Sequence, residues 1–504
     1  MLKKFVATLL AVVMVLSLTA CNGGKKGNGG ESLADGEYKI ADEYTELRMF
    51  YNASTTEDGE YEIFKEAAKY TNVYAKPTLP KSMSDFNQAF NLMIASGDIP
   101  DIVEHFNDSQ FSKLGSEGAF VKLDEYLDIM PNYKKILKEN PAIKDRVTYS
   151  DGHIYFVPYI PGGKVSQGWL IRQDWLDKLG LEVPTNVEEF YNVLKAFKTQ
   201  DPNGNGKADE VPYFDQFNTL LALFDAYPDW YMDKNGKPKY GPAQPEYKTA
   251  ITELKKWYDE GLIDEEILTG RSMRERRLTD NVGGSTHNWF GSSLLFNKKL
   301  KDKIPGFNLV AMLPPTGIER EQRDPSYFYG WGVSASSKNM EIAIKYLDFW
   351  LSDFGATLLS YGIEGVHYDM VDGKPKFKEE LVADPTFQER FTALKPTDIG
   401  CKFIMESEVE WAGPGTVEAW ELYEEKVEYT EIFPLIDMYL STEDYDKYTK
   451  TYTEIKTYVE EYKQKWMYGS ADLEKTYDEY IKQINKFGLE DMTKMVEKAI
   501  KDRK

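Results

Sequence analysis

Glu46-Leu-Arg-Met-Phe-Tyr51, Val73-Tyr-Ala-Lys-Pro77 and Pro100-Asp-Ile-Val-Glu104 are short strand-like runs separated by two helical patterns. The first helical pattern places Tyr61, Phe64 and Ala68 on one face. The second places Phe86, Phe90, Met93 and Ile94 on one face, with Ser84 as its cap and Gly97 as its stop. Strand–helix–strand–helix–strand order predicts an α/β unit with a parallel sheet, because crossover helices cover the faces. Ligands then gather at the carboxyl ends of the strands. Those ends are Tyr51-Asn52 and Glu104-His105-Phe106-Asn107, which makes Asn52, Glu104 and Asn107 candidate contacts.

Further along, Ser150-Asp151-Gly152 reads as a hairpin turn before a strand at 153–157, and 158–163 reads as a crossing between two lobes. A second unit opens with a strand at 168–172 inside Trp169-Leu-Ile-Arg172-Gln-Asp174-Trp175. Pro184-Thr185-Asn186-Val187-Glu188 is a capping box, followed by the stripe Val187, Phe190, Leu194 and Phe197. Then comes Asp201-Pro-Asn-Gly-Asn-Gly-Lys-Ala-Asp-Glu210. Asp201, Asn203, Asn205, Asp209 and Glu210 carry side-chain oxygens, and Lys207 offers its backbone carbonyl where the seventh-position carbonyl of a calcium loop falls. Calcium takes about six to eight oxygens at about 2.3–2.6 Å, and this spacing supplies most of them. The twelfth position is Pro212, not Glu, so Glu210 has to close the shell. The plainer alternative is two Asn-Gly turns between a helix and the next strand.

Gly283-Gly-Ser-Thr-His-Asn-Trp289-Phe290 reads as a short segment ending in an aromatic loop, and 307–313 as a strand closed by two prolines. Tyr327-Phe-Tyr329-Gly-Trp331-Gly-Val-Ser334 is a second candidate crossing. The last third is helical, with stripes through Tyr445, Tyr448, Ile455, Val459 and Trp466, through Tyr477, Tyr480 and Ile484, and through Met492, Val496 and Ala499. Such stripes are core faces.

The first residues are a targeting segment. Lys3 and Lys4 precede an apolar run over 5–18, and Leu18-Thr-Ala-Cys21 has the shape of a lipobox. Cleavage before Cys21 would leave that residue to carry the lipid, with 22–36 as a flexible tether. The chain has 504 residues and formal net charge −22, or −24 without the two leader lysines. Such a field disfavours nucleic acid and anionic membrane surfaces as partners. With Cys21 lipidated, Cys401 has no intrachain disulfide partner. Phosphate-cradling, zinc-protease and nucleophile-elbow motifs do not occur, and the four histidines are scattered. With 83 acidic residues, finding a carboxylate pair is no evidence for glycoside cleavage. The balance favours binding over catalysis.

The chain resembles bacterial extracellular solute-binding proteins of family 1, the lipoprotein receptors of carbohydrate ABC importers. The resemblance rests on the lipobox, Ile94-Ala-Ser-Gly-Asp-Ile-Pro-Asp-Ile102, Ile171-Arg-Gln-Asp-Trp-Leu-Asp-Lys-Leu-Gly180 and the 201–210 loop. It also rests on Trp257-Tyr-Asp-Glu-Gly-Leu-Ile-Asp264, Gly332-Val-Ser-Ala-Ser-Ser-Lys-Asn339 and Tyr361-Gly-Ile-Glu-Gly365. It implies a two-lobe, periplasmic-binding-protein-like fold of type II, each lobe a mixed sheet flanked by helices and joined by a hinge. It implies an oligosaccharide ligand, ABC permease subunits as partners, a structural calcium ion in the loop and a lipid-anchored monomer on the extracellular face of the membrane. The expected division is signal peptide 1–20, tether 21–37, a first lobe of 38–160 with 325–365, and a second lobe of 161–324 with 366–504.

Sugar rings stack their C–H faces on aromatic rings and present hydroxyls to polar groups. Trp331 and Tyr329 at the return crossing, and Trp289 at its loop, are therefore candidate platforms. Arg172 and Asp174 after the second lobe's first strand join Asn52, Glu104 and Asn107 as polar candidates, and Trp411 and Trp420 are weaker cleft candidates. Two other classes share these features: a surface-anchored glycoside hydrolase or lyase, and a cell-wall-binding lipoprotein.

Overall fold

A computed structural model describes residues 36–503 apart from 53–59, 80–84, 164, 321–325, 328, 397–399, 431–432 and 434–435. The expected signal peptide, Cys21, nearly all of the tether and Ser84 lie outside the described residues. The early strands are β1 (Thr45–Phe50), β2 (Val73–Pro77), β3 (Ile102–His105) and β4 (Val157–Pro158). The middle of the chain gives β5 (Gln167–Arg172), β6 (Val211–Tyr213), the hairpin β7 (Trp230–Met232) with β8 (Pro238–Tyr240), β9 (Gly283–Trp289) and β10 (Leu309–Met312). Then follow β11 (Ile318–Glu319), β12 (Gly330–Val333), the hairpin β13 (Tyr368–Val371) with β14 (Lys374–Phe377), and β15 (Glu428–Tyr429).

The first sheet has the order β2-β1-β3-β12-β4. β1 runs parallel to β2 and β3, as its crossover helices Glu62–Thr71 and Phe86–Ser96 require. Asp85 caps the second helix, accepting from Gln88 N at 2.9 Å, and Gly97 ends it at φ 71°. β12 comes from much later in the chain and lies antiparallel beside β3, with Trp331 opposite Glu104. That insertion corrects the expectation for Trp331. Its ring is fully buried beside Phe64 and Trp350, at centroid distances of 6.0 and 6.2 Å, so it is core and no platform for a ligand.

The second sheet has the order β10-β5-β9-β6. Gln167 pairs with Trp289, and Leu309 pairs with Arg172. The start of β5 and the end of β9 therefore share the edge nearest the first lobe, whereas β6 stops at Tyr213, level with Ser285, and Arg172 lies at the opposite edge. The 283–290 stretch is not a loop. β9 runs through Trp289 straight into the helix Phe290–Leu300.

The C-terminal stripes form the helices Thr442–Met467, Leu473–Phe487 and Leu489–Arg503. Ser441 and Asp472 cap the first two, and the buried faces join Trp169, Phe190 and Phe197 in the second lobe's core. Where the sequence alone placed 366–504 wholly in that lobe, the chain returns to the first. Tyr361, Tyr368, Phe377, Phe387 and Phe391 form a satellite cluster, and Cys401 and Met438 are buried in the first lobe's core.

Truncating a fully buried Trp leaves a void its neighbours cannot fill. Trp331→Leu is expected to lower unfolding free energy by about 3 kcal/mol in urea titrations. An unchanged midpoint would show that the ring is dispensable to the core.

Candidate functional site

Three chain segments cross between the lobes side by side. Tyr159 N donates to Tyr329 O, and Tyr327 N donates to Tyr159 O, both at 3.0 Å. On the other edge Ile160 N donates to Cys401 O at 2.8 Å, and Phe403 N donates to Ile160 O at 2.9 Å. Alternate residues of extended backbone face the same way. Tyr327 and Tyr329 accordingly stack at 5.3 Å with planes 3° apart. Tyr159 stacks on both, at 5.6 and 5.8 Å. Trp289, at the open end of β9, stands 6.5 Å from Tyr327 and is 36% exposed. At Gly163 the backbone is left-handed, φ 72°, and a Cβ there would collide with the Met405 side chain, so the crossing needs glycine at that point.

A cavity of about 280 Å³ opens on this ladder. Tyr159, Trp289, Tyr327, Tyr329, Phe391, Phe403 and Trp411 supply its aromatic lining. Its charged lining residues are Lys395 and Glu408, both mostly buried. The Lys395 ammonium lies 4.8 Å from the Phe391 ring and 5.5 Å from that of Phe403. The Glu408 carboxylate packs against Gly291 in the first turn of Phe290–Leu300, where a Cβ would overlap it. Ser292, Gln388 and Thr392 add hydrogen-bonding groups. Apolar faces beside a few polar groups are what a ring with hydroxyls on its rim requires.

Of the residues expected at the site, Trp289, Tyr329 and Trp411 line this cavity. Tyr159, Tyr327, Phe391, Phe403, Lys395 and Glu408 were missed. Tyr327 was legible two residues before Tyr329 on extended backbone. The residues at 391–408 follow no local pattern and reach the cavity only through the chain's return.

Asn52, Glu104 and Asn107 do sit at strand ends of the first lobe but do not line the cavity. Asn52 N donates to Glu104 Oε1 at 3.1 Å, and Asn107 caps Asp108–Ser116 by accepting from Gln110 N at 2.9 Å. Phe106 is the strand-end residue that approaches the ladder, 6.1 Å from Tyr329. Burial pushes the Glu104 carboxyl up to about 8, against the opposing pull of the Asn52 amide and the Trp331 indole.

Arg172 and Asp174 are corrected by register. Arg172 is about five strand residues, or about 16 Å, from the Gln167–Trp289 edge. Its guanidinium is sandwiched between Trp175 and Phe307, at 4.6 and 4.2 Å, and donates to Asp174 at 2.8 and 2.7 Å and to Asn281 Oδ1 at 2.8 Å. The pair ties secondary structure together at the far edge of the sheet.

The 201–210 loop also lies at that far edge, leading into Val211, which pairs with Gly283. Asp201 Oδ1 and Oδ2 accept from Asn205 N and Gly206 N, both at 3.0 Å, and Asn205 Oδ1 accepts from Lys207 N at 2.8 Å. Asn203 and Asn205 both donate to Asp209 Oδ1 at 3.1 Å. Glu210 is 1% exposed, and both of its carboxylate oxygens lack a hydrogen-bond partner among the described residues. Burial, with Asp209 and Asp201 nearby, raises its pKa. No group of three or more His, Cys, Asp or Glu side chains converges as a metal cage among the described residues.

Two sheets joined by paired crossings, with an aromatic cavity at the join, define a two-lobe binding protein. The chain belongs to the bacterial extracellular solute-binding protein family, whose model matches residues 52–356. It is 29% identical over 342 residues to the fructooligosaccharide ABC transporter substrate-binding protein FusA of Streptococcus pneumoniae serotype 4, covering 62% of this chain and 61% of FusA. It is 25% identical over 390 residues to the polygalacturonan/rhamnogalacturonan-binding protein YtcQ of Bacillus subtilis strain 168, covering 74% and 76%. Among solved structures it is similar to the alginate-binding protein AlgQ2 without calcium ion, with TM-score 0.83 and 32% identity over 92% of this chain and 99% of that one. The fold is the periplasmic-binding-protein-like α/β fold with two lobes and a hinge.

Glu104 carries a pH signature. Its folded pKa lies above the ordinary 4.5, so it binds a proton in the native state that the unfolded chain releases. Its contribution is fully present below about pH 4.5 and is lost as pH rises to about 8. Glu104→Gln is expected to gain on the native protein between about pH 5 and about pH 9, by on the order of 3 kcal/mol in urea unfolding. A constant difference across that window would contradict the assignment.

Proposed function

We propose that the protein captures an oligosaccharide between its lobes and delivers it to the membrane subunits of an ABC importer, without cleaving it. The observation that supports this reading is the ladder of Tyr159, Tyr327 and Tyr329 on the crossing segments, with Trp289 from the second lobe closing it. A ligand on the ladder touches both lobes and the segments that join them. Its differential affinity then favours the conformation in which the lobes approach. Family membership and the named relatives, each a binding protein, point the same way. Lipidation at Cys21 would hold a monomer on the extracellular face of the membrane, and the Gly- and Lys-containing stretch after it would give the body reach.

Calcium in the 201–210 loop is part of this proposal. The donor set fits. Glu210 offers two buried oxygens lacking partners among the described residues, and Asp201, Asn203, Asn205, Asp209 and the Lys207 carbonyl would have to turn from their present hydrogen bonds to share an ion with it. An ion there would join the helix Val187–Thr199 to β6, far from the cavity, and so act on stability. AlgQ2, solved without calcium ion, is one relative that connects the fold with this ion.

The reading is tested on the lipid-free body from Glu31 onward. Fructo-oligosaccharides, oligogalacturonates and alginate oligosaccharides are titrated by calorimetry, with chromatography for products. Binding of one series without turnover is expected. Trp289→Ala should weaken it by about 2 kcal/mol, about thirtyfold. Turnover, or failure of every series to bind, would overturn the reading.

Calcium is tested separately by melting curves. Saturating calcium, at about a hundred times Kd, should add about 2.7 kcal/mol of stability that EDTA removes. Glu210→Gln should abolish the response. A melting temperature indifferent to EDTA would remove the ion from the account.

A further inference from the structure

Between two glycines the chain builds a small unit of its own beside the aromatic cavity. Residues 363–396 hold the hairpin β13–β14 and the helices Glu379–Ala383 and Phe387–Thr392. Tyr368, Phe377, Phe387 and Phe391 form its core with Tyr361, separate from the cores of both lobes. Its root is on the first lobe. Leu358 and Leu359 of the helix Asp353–Tyr361 are buried in that lobe's core, and Ile63 N donates to Leu394 O at 3.2 Å. Glu410 steadies the same end, accepting from Phe377 N at 2.8 Å and from the Tyr361 hydroxyl at 3.2 Å. Gly362 precedes the unit at φ 84° and ψ −145°, a region that only glycine enters freely, and Gly400 lies just beyond it at φ 47°.

The other end of the unit faces the second lobe. Gln388, Thr392 and Lys395 line the aromatic cavity from this side, and Trp289 and Ser292 line it from the second lobe. Beyond them the two sides are tied together. Lys299, about two helical turns from Ser292 on the same face of Phe290–Leu300, donates to Glu389 Oε1, and Glu389 is next to Gln388. Lys298 donates to the Val382 carbonyl. The Glu389 side chain is 58% exposed, and an ion pair so open to solvent adds little net stability. The cavity itself, at about 280 Å³, falls just below the range of about 300–1,000 Å³ usual for ligand sites. A chain of several sugar rings therefore fits only if one wall moves. The wall with a separate core, glycines at its boundaries and exposed polar ties is this unit.

We infer that residues 363–396 are a lid on the aromatic cavity, carried by the first lobe and clamped shut by Lys298 and Lys299 of the second. The inference rests on that cavity being the ligand site, and it adds a gate. While the clamp holds, ligand neither enters nor leaves. When it lets go, the unit swings about its glycines and the gap between Ser292 and Gln388 widens. The clamp thus sets the rates of capture and release, and the aromatic rings set the affinity.

The gate is tested first without sugar, on the lipid-free body from Glu31 onward. Ser292→Cys puts a thiol on the cavity wall, and Cys401, fully buried, gives the background in the protein without it. Reaction with an aromatic disulfide reagent then reads how often the lid opens. Lys299→Ala and Glu389→Ala should each speed it about threefold, and the reversed pair, Lys299→Glu with Glu389→Lys, should restore the slow rate. Tetrasaccharides of the three types named above are then followed by stopped-flow tryptophan fluorescence. Lys299→Ala should raise association and dissociation rates by the same factor, about threefold, with Kd unchanged, whereas loss of a ligand contact would change Kd through dissociation. Equal labelling in all backgrounds, a reversed pair that does not restore the rate, or a change in dissociation alone would overturn the lid and leave the receptor reading standing. The expected labelling with no tetrasaccharide bound would keep the lid and overturn the receptor reading.

Discussion

The pairing of three crossing segments at the join of the lobes is the constraint on which the site depends. Tyr159-Ile160 is the middle strand of a ribbon, with Tyr327 and Tyr329 on one side and 401–403 on the other. These segments lie far apart in the chain, so the ribbon forms only once both lobes have brought them together. Each backbone bond adds little net stability, about 1 kcal/mol. Their larger effect is positional. Extended backbone with a period of two sends Tyr327 and Tyr329 to one side, and the same pairing places Tyr159 against them. The candidate platform is thus a property of the hinge itself, and in the proposed reading any relative motion of the lobes passes through the residues that would touch the ligand.

Behind the platform the protein uses buried polar groups at specific points. Glu104 and Trp331 face each other across β3 and β12. A carboxyl in that position is costly when charged, and burial keeps it protonated over much of the neutral range. At the opposite edge of the second sheet Arg172 is fully enclosed, but with Asp174, Asn281 and two aromatic faces around it. The first case avoids a buried charge by protonation. The second satisfies one by geometry.

Local pattern made much of the fold legible. The βαβαβ opening, the Asn186 cap of Val187–Thr199 and the aromatic stripes of the last three helices all have signals within a turn or two of the chain. The site was legible only where it coincided with a crossing or strand end, as at Tyr329 and Trp289. Trp331 misled because crossing and core strand are adjacent: two residues after Tyr329 the chain is already inside the sheet. Arg172 misled because the direction of β5 decides which of its ends meets the cleft, and that direction follows from pairing with β9 and β10. Lys395, Phe403 and Glu408 depend on the chain's return to the first lobe near Cys401, a non-local event without a sequence period.

The second sheet also separates two tasks along its strands. One edge carries Trp289, and the other carries Arg172 and the oxygen-rich loop, with about five residues of regular strand between them. Substitutions more than about 7–10 Å apart combine nearly additively. Substitutions at the first edge therefore leave the structural interactions at the second nearly untouched. This architecture lets one end of a sheet change while the other end buffers the losses in stability that new side chains bring.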